Sequence, residues 1–143
     1  MSIVNKKARF NYQLEEERHE AGLVLTGGEA KAIRTGHADL SNSFAKILSG
    51  EIWLVNANIP ITGAKNYNPT RSRKLLLHKS EIINLSVKMK QRKLNLVPLK
   101  LYNKARLTKL ELALGKSKRK FEKKESLKQM DIKREVEQEY KTG

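Results

Sequence analysis

Short apolar runs separated by turn residues dominate the first two thirds of the chain. Ser43–Leu48 and Glu51–Ile59 flank Ser49-Gly50, which predicts two strands joined by a tight turn. Leu110, Leu112 and Leu114 alternate with polar residues in Arg106–Leu114. Val97, Leu99 and Leu101 alternate in Asn95–Asn103, and the two segments join near Asn103-Lys104. Pro98 has no N–H to donate to a ladder, so its strand is expected at an edge or with a bulge. The period changes between His78 and Arg92. There Ile82, Leu85 and Met89 recur at i, i+3 and i+7, with Lys79, Lys88, Lys90 and Arg92 on other faces, which predicts a helix. Upstream, Arg9 to Leu25 reads as extended, interrupted by Glu15-Glu16-Glu17-Arg18. Thr26-Gly27-Gly28 reads as a turn and Glu29–Arg34 as a short helix stopped by Gly36. Pro60 to Pro69 is a loop, and Leu75-Leu76-Leu77 an apolar triplet. At least five short strands with two helices between them predict a mainly β fold, a small antiparallel barrel whose closure removes exposed edges.

Residues 115–143 break this pattern. Ile132, Val136 and Tyr140 make one thin stripe, while Leu127 and Met130 fall on the opposite side, so a helix there buries little. Like-charged pairs Asp131/Glu135 and Glu135/Glu139 weaken it further. The expectation is a barrel domain over 1–114 and a basic tail over 115–143 that is disordered when free and helical on a partner.

Charge then narrows the partners. The 143 residues carry 30 Lys+Arg against 15 Asp+Glu, a formal charge of +15. Residues 1–114 hold 20 basic and 9 acidic side chains, and residues 115–143 hold 10 and 6. Such a surface attracts polyanions, nucleic acid above all. The chain has no cysteine, which excludes disulfides, thiolate metal sites and Cys nucleophiles. No apolar run approaches the ~18 residues of a membrane span, and no basic helix has the broad apolar face of a membrane binder. The N-terminal stretch has no apolar secretory segment, so a soluble intracellular protein is expected.

Several blocks, in order, resemble one family. They are Asn5-Lys6-Lys7-Ala8-Arg9 with Tyr12, Glu20-Ala21-Gly22, and Leu25-Thr26-Gly27-Gly28-Glu29-Ala30-Lys31-Ala32-Ile33-Arg34-Thr35-Gly36. Two more are Pro69-Thr70-Arg71-Ser72-Arg73-Lys74-Leu75-Leu76-Leu77-His78-Lys79 and Val97-Pro98-Leu99-Lys100-Leu101-Tyr102. Together they closely resemble the SsrA-binding protein (SmpB) family, from Asn5 into the tail. The resemblance implies an OB-fold barrel with two or three short helices and a basic C-terminal tail. It also implies a bacterial, cytoplasmic adapter that binds the tRNA-like domain of transfer-messenger RNA and delivers it to stalled ribosomes. Phe10 stands where the family usually has His, and the Ile59–Pro69 loop is shorter than is typical.

The RNA-binding candidates are Asn5, Lys6, Lys7, Arg9, Tyr12, Glu29, Lys31 and Arg34, and the resemblance implies that Asn5, Glu20 and Leu76 are among the RNA-binding determinants. Cations meet phosphate, while planar and hydrogen-bonding groups read shape. Lys31 and Arg34 at i, i+3 place two cations side by side, or form a solvated helix face. Tyr12 suits a stacking surface or a half-buried strand aromatic. Glu20 can accept from a base amino group or a 2′-hydroxyl, and its alternative is a solvated acid beside Arg18. Leu76 is expected to pack and shape the site rather than touch RNA. Arg71, Arg73 and Lys74 suit either an RNA or ribosome contact or a solvated charge run. In the tail, the resemblance implies that Lys116, Lys118, Arg119, Lys120, Lys123, Lys124, Lys128, Lys133 and Arg134 are the cations that enter the decoding site and message channel of the small subunit.

Catalysis is not expected. Glu15, Glu16 and Glu17 are consecutive, and strand neighbours point to opposite faces. His19, His37 and His78 lack ligand spacing, and no nucleophile elbow is present. No cofactor, metal, DNA or membrane partner is expected, and the protein is expected to be a monomer. The alternative reading is a ribosomal or general structured-RNA-binding OB-fold protein.

Overall fold

The computed structural model describes residues 2–125. Its elements follow the chain as β1 (Ile3–Val4), α1 (Ala8–Asn11), β2 (Tyr12–Leu14), β3 (His19–Leu23), α2 (Gly27–Arg34), β4 (Phe44–Leu48) and β5 (Glu51–Val55). They continue with β6 (Arg73–Leu76), α3 (Lys79–Arg92), β7 (Asn95–Lys104) and β8 (Leu107–Ser117). Neighbours in the order β7-β4-β5-β6-β3-β8 pair antiparallel, and β8 pairs back onto β7, so six strands close into a barrel. β1 and β2 lie outside the ring, on β7 and β8. No helix among the described residues is long and apolar enough to cross a membrane.

Strand alternation fills the barrel. Ala45, Ile52, Leu54, Leu75, Leu96, Leu101, Leu110, Leu112 and Leu114 point inward and are buried, joined by Ile33 of α2 and by Ile82 and Leu85 of α3. Ser49 and Gly50 both have positive φ, the twist a two-residue hairpin needs, and the expected β4–β5 hairpin forms around them. The α3 helix occupies the expected span. Lys93 ends it in a left-handed conformation, with its N–H donating to the Met89 carbonyl.

Several boundaries differ from the pattern, the second hairpin strand ending at Val55 and not at Ile59. The β7–β8 turn sits at Ala105-Arg106, both with positive φ, not at Asn103-Lys104. Pro98 is indeed at a bulge: the register shifts between Pro98 and Lys100. The shift reverses the alternation, so Leu96 and Leu101, five apart, both reach the core, while Val97 lies on the outward face. Val97 and its partner Ala113 are buried there beneath α1, a helix that the extended reading of Arg9 onward does not anticipate.

The last strand also runs past Leu114 to Ser117, where Gly115, Lys116 and Ser117 pair with Leu14, Gln13 and Tyr12. Glycine suits position 115 because a Cβ there would meet Leu14 at 3.0 Å and the Gln13 carbonyl at 3.3 Å. Residues 120–125 are helical. The stretch expected to be a free tail from 115 therefore begins as paired strand. Lys128, Lys133, Arg134 and the Ile132, Val136, Tyr140 stripe lie outside the described residues.

Candidate nucleic-acid interface

The outward faces of β7, β8, β3 and β6 carry the densest chemistry. Glu20 on β3 accepts a hydrogen bond from the Tyr102 hydroxyl of β7, and Lys104 Nζ lies 3.7 Å from its other oxygen. The Tyr102 hydroxyl lowers the Glu20 pKa most, against a desolvation effect that raises it, and Lys104 and Lys109 lower it further. Burial and the same hydrogen bond push Tyr102 up to about 12, so its proton stays to donate. Lys100 Nζ lies 5.4 Å from the Tyr102 ring centroid, and the same ammonium is 3.5 Å from Glu111. Arg18 pairs with the other Glu111 oxygen at 3.4 Å.

This face continues under α1. Lys6 and Arg9 line a groove of about 310 Å³ together with Arg18, Leu99, Lys100 and Glu111. Asn5 sets that geometry from below. It is buried; its side-chain amide donates to the Pro98 carbonyl at 2.8 Å, and its Oδ1 accepts from the Lys7 N–H at 3.2 Å. Asn5 thus fastens α1 to the bulge in β7 and offers little of itself to a ligand.

Leu76 is 55% exposed on the same outer surface, opposite Gly22 of β3, so it is a presented side chain and not the packing residue expected. The remaining candidates are dispersed. Lys7 and Tyr12 line a second groove, of about 360 Å³, with Asn11, Asn42, Phe44 and Asn95. Lys31 lines a third, beside Thr35, His37 and Pro60, and Arg34 is exposed on α2.

Glu29 is a different case. It is fully buried, and Thr26 and Glu29 form a capping box at the start of α2. Its carboxylate also takes hydrogen bonds from Arg71, Arg73 and Tyr67. Burial raises its pKa, but the bonds from Arg71, Thr26, Arg73 and Tyr67 together outweigh that and hold it at about 2. Arg73, itself buried, donates also to the carbonyls of Ala57 and Pro69. Glu29 and Arg73 are therefore internal supports of the 57–73 segment and hold no oxygen or proton free for RNA. Lys74 pairs with Glu51 at 3.3 Å.

Tyr102, Lys104, Lys109, Lys100 and Arg18 are the site members that the candidate set omits. Their signal is the polar half of the alternation, Lys100, Tyr102 and Lys104 at every second position opposite the core leucines. Among the described residues, no group of three or more His, Cys, Asp or Glu is placed to hold a metal ion.

The SmpB protein family model matches residues 2–142. An SsrA-binding protein of Sulfurihydrogenibium sp. is 48% identical over 140 residues, covering 96% of this chain and 91% of the relative. One from Halalkalibacterium halodurans is 46% identical, covering 96% and 90%. A solved chain described under "tmRNA-SmpB: a journey to the center of the bacterial ribosome" superposes with a TM-score of 0.69 at 39% identity, covering 88% of this chain and 94% of its own. With the family model spanning nearly the whole sequence, the chain belongs to the SmpB family.

Proposed function

We propose that this protein is an RNA-binding adapter of trans-translation, which binds the tRNA-like domain of transfer-messenger RNA and delivers it to stalled ribosomes so that incomplete proteins are tagged. The observation that carries the reading is the near full-length similarity to SsrA-binding proteins, together with a solved relative that is tmRNA-associated SmpB of the bacterial ribosome. The geometry supports it: Lys6, Arg9, Arg18, Lys100, Lys104 and Lys109 supply phosphate contacts along one face. Glu20 and Tyr102 form a fixed donor–acceptor pair beside them, and Leu76 gives an apolar edge. Asn5 and Glu29 act from beneath by positioning α1 and α2. The work is binding and delivery in the cytoplasm, without catalysis, and residues 118–143 act on the ribosome.

Competition decides it. Labelled tRNA-like domain RNA bound at near-physiological salt is challenged with bulk tRNA; the adapter keeps the labelled RNA at competitor levels that strip a general RNA binder. Equal displacement by both RNAs refutes the reading in favour of an unspecialised structured-RNA binder. Magnesium-dependent cleavage of the bound RNA refutes the non-enzymatic part.

A further inference from the structure

On the outer surface of β4, β5 and β6, Lys46 pairs with Trp53, and Trp53 pairs with Lys74. Their neighbours Ala45, Ile52, Leu54, Arg73 and Leu75 are buried, so alternation turns these three side chains outward in one row. Val24 extends the row, its N–H donating to the Lys74 carbonyl. The adjacent row holds Leu48, paired with Glu51, and then Leu76, opposite Gly22, which pairs in turn with Lys109. Val24, Phe44, Leu48 and Leu76 are all about half exposed around the half-buried indole.

A core does not need four exposed apolar side chains around a tryptophan, and a solvated face does not favour them. We infer that Trp53, flanked by Lys46 and Lys74, is a stacking platform for one unpaired base of the bound RNA. The inference rests on the proposed RNA-binding function and extends its interface across Leu76. Two features favour RNA over a protein partner. The face is continuous, through Leu76, Gly22 and Lys109, with the Glu20–Tyr102 site. Trp53 also stands between Lys46 and Lys74 in the register, one strand spacing of about 4.8 Å to either side, so that a phosphate flanking a stacked base would meet the Lys46 side chain. Lys74 is paired with Glu51 of the adjacent row, whereas Lys46 has no ion-pair partner among the described residues.

Trp53 is the chain's one tryptophan, so its emission reports the platform alone. The full-length protein is titrated with tRNA-like domain RNA, following indole emission and, separately, affinity by filter retention. Emission is expected to be quenched in step with binding. Trp53→Phe keeps a ring and is expected to bind within about threefold of wild type. Trp53→Leu keeps apolar bulk without stacking and is expected to bind about 5- to 100-fold more weakly, the range of base–aromatic stacking. Lys46→Gln, an exposed change that keeps the indole itself, is expected to flatten the log K against log salt slope by about 0.7. Unchanged emission at saturating RNA, wild-type affinity in Trp53→Leu, or an unaltered slope in Lys46→Gln each overturns the platform while leaving the RNA-binding function standing. Absence of RNA binding by the wild type overturns both.

Discussion

Glu29 meets three demands at once: it closes the capping box of α2, pairs with two guanidiniums, and accepts the Tyr67 hydroxyl. Its pKa is held at about 2 against an ordinary value of 4.5, so folding favours the charged form. For a depressed carboxyl the stabilisation is complete above pH 4.5 and disappears as pH falls towards 2. With Arg71 part-exposed, it is worth roughly 2–3 kcal/mol. Glu29→Gln is therefore expected to lower the unfolding free energy by about 3 kcal/mol at pH 7, because it strands Arg73. The gap from wild type should narrow steadily between pH 4.5 and 2. Urea unfolding at a series of pH values measures this; a gap that is constant with pH would assign the loss to shape and not to charge. Half of this arrangement is legible in the sequence, since Thr26-x-x-Glu29 is the pattern of a capping box. The other half is not, because Arg71 and Arg73 stand more than forty residues away and nothing local pairs them with Glu29. Isolated from its partners, a glutamate in a basic stretch reads as a surface group.

The long, strongly periodic elements are visible in the sequence, and those whose identity depends on a neighbour are not. The α3 stripe and the β4–β5 turn carry their own signals, in spacing and in Ser49-Gly50. The α1 helix has four residues, too few for a period, and stands because Asn5 ties its start to β7. β7 likewise misleads: one extra residue after Pro98 turns Val97 from core to outer face, and alternation alone cannot show where a strand slips. The end of β8 depends on β2 in the same way. Ending the chain at Leu114 removes the three partners of Tyr12, Gln13 and Leu14 and the Asn95–Ser117 hydrogen bond. At 0.2–1 kcal/mol per cross-strand pair, this should cost roughly 1–3 kcal/mol in urea unfolding. A chain ending at Lys118 should keep the full-length midpoint. Equal midpoints for the two truncations would mean that the β2 pairing adds nothing to stability. Any test of what the tail does must therefore cut after Lys118, so that a damaged barrel is not mistaken for a missing tail.

Across the whole molecule, cation density does not follow the boundary between barrel and tail. Residues 116–124 hold six basic side chains and one acid, whereas residues 126–143 hold four of each and are neutral overall. A chain ending at Glu125 therefore keeps the full formal charge of +15 while losing Leu127, Met130, Ile132, Val136 and Tyr140. Counterion release scales with the phosphates that cations neutralise, so the neutral segment can contribute little net attraction to RNA. What it can supply is bulk and apolar contact once a binding site surrounds it. The truncation at Glu125 is thus expected to bind the tRNA-like domain with unchanged affinity and an unchanged slope of log K against log salt. Tagging of peptides on stalled ribosomes should fall to background. Replacing Arg119, Lys120, Lys123 and Lys124 with Gln in the full chain is expected to do the reverse for ribosome association, lowering its salt dependence by about 0.7 for each cation that meets a phosphate. Both measurements use the same RNA and ribosome preparations. A truncation at Glu125 that loses RNA affinity, or one that still tags, would show that recognition and rescue are not divided along the chain as its charge is.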